Sequence, residues 1–286
     1  MSFLQHLEEL RSRLIKAIVG GLVAFIACIG FGPWLWGIIS APATDALIKI
    51  GLKNTTLVAT EPMEGFNIMW FKVPAVVSLF VAAPWILYQV WAFIAPGLYK
   101  RERKWAIPFV MCTAGLFIGG GLFAYFVAFR FGLTFLLQLM LVGGVTPMIT
   151  ITSYFDLFMN VMLGVAVVFE LPVVIFFLIL LRVTTPKWLM ANSRYAILGI
   201  VILAAIVTPT PDALNMMLFC IPMLVLYFLG VFAGYLLVLR REGQKFPWMP
   251  VLLVTFAILA IAAGVTYWAQ VHYQLHWIKH WPFLVK

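Results

Sequence analysis

Charge is what this sequence has least of. Only 10% of its 286 residues are Asp, Glu, Lys or Arg, and only ten are acidic, while 64% are hydrophobic. Soluble domains carry roughly a quarter charged residues, so that class is excluded. Cysteine is scarce too. Cys28, Cys112 and Cys220 are odd in number, sit inside apolar runs and suit no metal site, so they read as structural thiols. There is no Gly-rich phosphate loop of the Walker type, no serine elbow and no HExxH on a span. No apolar run holds a histidine that could serve as a base. The chain therefore lacks the parts of an enzyme and is expected to use no cofactor. It also lacks the alternating segments of about ten residues that mark a β-barrel. No cleavable signal peptide is visible, because the first apolar run is too long for one.

What it has instead is apolar runs of about 20 residues, the length that crosses a hydrocarbon core roughly 30 Å thick. The sequence thus predicts an all-α, polytopic integral membrane protein. Spans are expected at residues 17–39, 73–94, 105–129, 157–181, 195–207 and 213–239, with a seventh at 249–268. Residues 1–240 form the membrane domain. Residues 241–286 add a basic linker, the seventh helix and an aromatic, His-containing tail. Phe3, Leu7, Leu10 and Leu14 share one helical face, which predicts a surface helix over 2–15, with Ser2 and Gln5 as a capping box. Long loops are expected at 40–72 and 130–156. Gly115 and Gly119 have the spacing that lets helices approach closely. The fifth span, 195–207, is about 20 Å long at 1.5 Å per residue, too short for an average bilayer.

Orientation follows from the basic residues. With the N-terminus inside, thirteen Lys and Arg fall on the cytoplasmic side and six on the other, as the positive-inside rule requires. This first side is called the basic side below. The net charge of +9 is therefore a topology signal, not a nucleic-acid one. The C-terminus falls outside if the seventh span forms.

Few polar residues stand out against this background. Glu170 lies mid-span in Phe169-Glu170-Leu171-Pro172, where a carboxylate is costly and by default functional. Packing by an interhelical hydrogen bond is the plainer reading. Pro172 predicts a kink there. Glu102 lies inside the basic cluster Lys100, Arg101, Arg103 and Lys104, where a weak surface ion pair is the plain reading. Glu9 has Arg13 at i+4 as a plain partner. Yet both acids sit on basic-side elements next to the membrane, where paired carboxylates can receive arginines through bidentate bonds. Asp212 and Thr208 flank a Pro-rich turn, where a solvated acid is the plain reading. Gln89 suits an interhelical hydrogen bond. His272, His276 and His280 share a helical spacing, but a flexible tail is a poor metal scaffold.

Taken in order, several motifs resemble one family. They are His6-Leu7-Glu8-Glu9-Leu10-Arg11-Ser12-Arg13-Leu14 and Ser40-Ala41-Pro42. A long run follows, Ala83-Pro84-Trp85-Ile86-Leu87-Tyr88-Gln89-Val90-Trp91-Ala92-Phe93-Ile94-Ala95-Pro96-Gly97-Leu98-Tyr99-Lys100-Arg101-Glu102-Arg103. Phe169-Glu170-Leu171-Pro172 and Thr208-Pro209-Thr210-Pro211-Asp212 complete the set. Over residues 3–240 the chain resembles TatC, the receptor subunit of the twin-arginine protein translocase. The resemblance implies a six-helix concave bundle in the bacterial cytoplasmic (inner) membrane that binds twin-arginine signal peptides of folded cargo. By that resemblance Glu9, Arg11, Phe93 and Glu102 bind the signal peptide. Glu170, with Gln89 and Thr208, docks TatA-type and TatB-type single-span subunits. Pro42 and Asp212 are outer-loop residues needed for activity. Other implied partners are further copies of the chain and membrane lipids, with no nucleic acid. Export would draw on the proton-motive force. The seventh span and tail exceed the family's six helices. The alternative, a proton-coupled transporter of a small solute using Glu170, should show paired structural repeats. The short fifth span has no counterpart in the first half.

Overall fold

A computed structural model describes residues 3–52, 56–94, 106–208 and 212–244, with two short strands in the tail. Two compact units divide the chain between Tyr235 and Leu236. The expected seventh span, Glu102 and the capping residue Ser2 lie outside the described residues.

In the first unit, α1 (Phe3–Ile29) is one continuous helix. A surface helix separate from the first span was expected, and the structure corrects this. Neither Pro nor Gly occurs between Phe3 and Val19, so nothing breaks the backbone where polarity changes. At 27 residues the helix is about 40 Å long, more than the hydrocarbon core requires, so the Glu9 region stands clear of it. The chain turns at Gly30-Phe31 and enters α2 (Gly32–Lys49), with Pro33 in its first turn. Helix α2 replaces the start of the expected loop at 40–72, and Pro42 lies inside it rather than in a loop.

A short α3 (Pro62–Asn67) follows, and Glu61 and Glu64 close its N-terminus with a capping box. A turn of wider, π-type winding, Ile68–Lys72, carries it into α4 (Val73–Ile94). Next come α5 (Ala106–Phe123), a second π-type turn (Ala124–Phe129) and α6 (Arg130–Val142). The loop expected at 130–156 therefore shrinks to 143–150. Arg130 begins α6 because it is provided for: it pairs with Asp45 of α2 at 3.3 Å and lies over the rings of Tyr125 and Phe126.

Thr150 caps α7 (Ile151–Val168), its side chain accepting from the Ser153 amide at 3.2 Å. The fourth span then breaks at Phe169-Glu170 and resumes as α8 (Leu171–Leu180), with Pro172 in its first turn. Thr185 caps the short α9 (Pro186–Ala191). Helix α10 (Ser193–Val207) has 15 residues, and α11 (Ala213–Arg241) has 29. Five helical stretches are long and apolar enough to cross a membrane, and α10 is a shorter apolar helix beside them. Among the described residues this is the six-span pattern read from the sequence.

An aromatic cluster joins the second π-type turn to α7. Phe129 meets Tyr154 and Phe158 edge-on, at 5.5 and 5.3 Å between ring centroids. Tyr154 and Phe155 are completely buried. Among the described residues there is no close approach at Gly115 and Gly119, where one was expected: a Cβ at either would meet nothing within 4 Å. The contact falls instead at Gly120, against Phe169 and Ala166, and at Gly121, against Phe80. Burial of Ala124 and Ala128 on the same helical path shows which face packs, and the glycine spacing alone did not identify it.

The second unit contains the last turns of α11. Gly243, at φ 69°, follows the helix, and the Gln244 amide bonds to the Leu239 carbonyl at 3.0 Å. This is a left-handed C-terminal cap. In the tail, β1 (His276–Trp277) pairs antiparallel with β2 (Leu284–Val285).

Candidate functional site

On the basic side, α1 and α4 run alongside each other. The Trp85 indole N–H donates to the Lys16 carbonyl at 2.9 Å, and Gly20 leaves the room that the indole fills. Towards the N-terminus of α1 this pairing carries a ladder of polar and aromatic contacts. His6 stacks on Phe93, with 4.5 Å between centroids and 21° between planes. Arg13 donates to the Gln89 side-chain oxygen at 3.4 Å and pairs with Glu9 at 3.6 Å. Positions 6, 9 and 13 share one face of α1, and 89 and 93 share one face of α4.

Glu9 is only partly committed in this ladder. One carboxylate oxygen meets Arg13, while Oε2 is buried and has no partner among the described residues. A buried carboxylate oxygen without a donor is costly and suits a site that an incoming donor completes. Gln89 is 2% exposed and belongs to this ladder. Arg11 is exposed on another face of α1, so the structure does not bring it to Glu9 and Phe93. The chain leaves α4 directly after Phe93-Ile94 for the segment containing Glu102, which lies outside the described residues.

Three residues here deserved more weight than the sequence reading allowed them. His6 was visible only as part of a motif. Arg13 looked like a plain i+4 partner, whereas it joins two helices. Trp85 too was visible only as part of a motif, whereas its indole ties α4 to the backbone of α1.

Within the membrane, Glu170 occupies the break between α7 and α8. Its backbone carbonyl accepts from the Val173 and Val174 amides, both at 3.0 Å. Its half-buried side chain leaves Oε1 without a partner among the described residues. Pro172, as expected, accompanies the break. Pro172, Phe109, Cys112, Val173 and Phe176 line an adjoining apolar pocket of about 230 Å³. Helix α11 approaches this break closely at Gly230, where a Cβ would stand 2.7 Å from the Pro172 Cα.

Thr208 ends α10 and is buried, its amide bonded to Ala204 at 2.9 Å. Asp212 starts α11. Its two carboxylate oxygens accept from the Asn215 amide at 2.8 Å and the Asn215 side chain at 2.9 Å. It is thus an N-cap, with Asn215 fully buried beneath it. Thr208 and Asp212 thus belong to the junction of α10 and α11, and Glu170 to the break between α7 and α8.

On the side opposite the basic one, Glu64 joins two connections. One oxygen accepts from the Thr60 amide at 2.6 Å and the Thr60 hydroxyl at 2.8 Å. The other accepts from the Thr152 amide at 2.9 Å. A parallel bridge between Val58 and Thr150 lies alongside. The helix from Pro62 to Ile94 has 33 residues, about 50 Å, so its first turn stands outside a 30 Å core. Hydrogen bonds from Thr152 and Thr60 hold the Glu64 carboxyl down at about 2.

Comparison with known proteins agrees with these features. Residues 5–222 match the family model "Sec-independent protein translocase protein (TatC)". The chain is similar to the TatC of Koribacter versatilis, 44% identical over 250 residues, which covers 86% of this chain and 91% of that one. It is 37% identical over 227 residues to the TatC of Escherichia coli K12, covering 79% and 85%. It superposes on a crystal structure of the twin-arginine translocase receptor TatC with a TM-score of 0.67 and 32% identity, covering 81% of this chain and 98% of the other. The six apolar helices, the broken fourth span and these matches together place the chain in the TatC family of Sec-independent protein translocase proteins.

Proposed function

We propose that this chain is the receptor for twin-arginine signal peptides in its translocase, with the α1–α4 ladder as half of the binding site. The observation that carries this reading is the uncommitted oxygen of Glu9, buried beside the His6–Phe93 stack. A guanidinium offers a planar fork of donors that fits a carboxylate through two parallel bonds. Glu9 supplies one acceptor, and Glu102, a few residues beyond the end of α4, supplies the second. The Phe93 face gives the alkyl stem and guanidinium plane a surface to lie on. Arg11, exposed on its own face of α1, is left to contact other parts of the cargo peptide.

The basic side is the cytoplasmic side of the bacterial inner membrane, which the distribution of Lys and Arg supports. Glu170 is the docking point for TatA-type and TatB-type helices, aided by Gln89 and Thr208. Pro42 and Asp212 set the opposite side. The chain works with further copies of itself, and export draws on the proton-motive force.

The test is photo-crosslinking of a twin-arginine peptide to membranes holding Glu9→Ala or Glu102→Ala chains. Each variant should lose about 10-fold or more in crosslinking, the scale of one charged hydrogen bond at 1.5–3 kcal/mol. Membrane insertion should stay normal. Wild-type crosslinking in both variants would overturn the assignment.

A further inference from the structure

Two tyrosines from other spans meet the backbone of α2 at Pro42. Proline has no N–H, so the carbonyl four residues before it loses its helical donor. For Pro42 that carbonyl belongs to Ile38. The Tyr125 hydroxyl, from the π-type turn after α5, donates to the Ile38 oxygen at 2.8 Å. One position on, the Tyr154 hydroxyl of α7 donates to the Ile39 oxygen at 2.5 Å. Two successive carbonyls beside the proline ring are thus met by hydroxyls from other spans.

The surroundings reinforce this arrangement. Tyr154 and Ala43 are almost completely buried. Arg130, over the Tyr125 ring at 5.5 Å, pairs with Asp45, which lies three residues past Pro42 on α2. The π-type winding over Ala124–Phe129 changes the direction in which Tyr125 leaves its helix. Such turns often occur where a side chain must be aimed.

We propose that Tyr125 and Tyr154 are positioning residues for α2. Tyr125 stands in for the donor that Pro42 lacks and Tyr154 holds the carbonyl beside it, and together they fix residues 43–49 against the third and fourth spans in the arrangement that export requires. The export part rests on the translocase function proposed above, whereas the hydrogen-bond part does not.

A double-mutant cycle tests it. Wild type, Tyr125→Phe, Pro42→Ala and the double variant are purified in detergent, and thermal unfolding is followed. With Pro42 present, Tyr125→Phe strands the Ile38 carbonyl and should lower the midpoint by about 2–4 °C. With Pro42→Ala, the restored amide serves that carbonyl, so the same Tyr125 change should leave the midpoint unmoved. Equal drops in both backgrounds overturn the proposal. If Tyr125→Phe alone gives no folded protein, recovery of folded protein on adding Pro42→Ala reads the same coupling, and no recovery overturns it. Export of a folded twin-arginine reporter is scored in parallel. Tyr125→Phe should lose about 10-fold or more. Coupling in unfolding with wild-type export in Tyr125→Phe overturns the positioning role alone. No export by the wild-type chain in a strain supplied with matched partner subunits counts against the translocase function and leaves the coupling to be judged on unfolding.

Discussion

Single residues here act through what they leave unsatisfied as much as through what they bind. Glu9 and Glu170 each keep one carboxylate oxygen without a partner among the described residues. Both lie where desolvation makes that costly. Small residues set the distances at which the spans meet. A Cβ at Gly230 would stand 2.7 Å from the Pro172 Cα and 3.1 Å from its carbonyl oxygen. Gly230→Ala must therefore push α11 off the start of α8, at a cost of about 1–3 kcal/mol. A Cβ at Gly115 meets nothing within 4 Å. Gly115→Ala should leave stability unchanged or raise it by about 0.4–1 kcal/mol, because alanine restricts the unfolded chain. Thermal unfolding of the two variants in detergent checks both signs.

At the scale of elements, the helices continue further than hydropathy alone predicts. Helix α1 carries a polar segment and an apolar span without a break. Helix α2 runs through Pro42, and α6 begins at a charged residue. Helix α1 continues because no Pro or Gly interrupts it where its polarity changes, whereas in α2 and α6 a partner from another element removes the reason to stop. The link between α3 and the start of α7 shows the same dependence in titratable form. The Glu64 carboxylate is held at about 2, below its usual 4.5, by its bonds to Thr152 and Thr60. A depressed carboxyl contributes stability that is complete above its unfolded pKa and is lost as pH falls through the folded one. The link should therefore hold at pH 7 and above about 4.5, then open as pH drops towards 2. Protection of the Thr152 amide from hydrogen exchange, relative to its intrinsic rate at each pH, should fall over that window. In Glu64→Ala exchange at Thr152 should already be fast at pH 7, and a protected Thr152 amide in that variant would refute the link.

At the scale of the whole molecule, the described residues form five long spans and one short one, with polar groups at three depths. The Glu9 ladder is on the basic side, Glu170 is within the membrane, and Glu64 and Pro42 are towards the other side. This separation predicts that functions can be lost one at a time. Glu170→Ala should leave twin-arginine peptide crosslinking within about twofold of wild type, because its contacts are not shared with the ladder. Co-purification of the single-span subunits should fall, and export with it. If co-purification and export both stay at wild-type level, Glu170 is a packing residue.

Composition and periodicity determined by themselves that this is an all-α membrane protein of several spans, because the bilayer imposes a length and a polarity that few sequences meet by chance. The same sequence marked Glu170, since a charge in an apolar run is conspicuous, and its motifs were sufficient to identify the family. Only the tertiary structure decided where helices end and which polar groups meet. Pro42 reads as a loop residue until Tyr125 and Tyr154 arrive from 83 and 112 positions away to serve the carbonyls beside it. Arg13 reads as a partner for Glu9 until α4 brings Gln89 beside it. Gly115 and Gly119 read as the contact until packing selects Gly120 and Gly121. These outcomes share one physical reason. A backbone group in a membrane must be satisfied, but the donor that satisfies it can come from anywhere in the chain, and local sequence does not record which one it is.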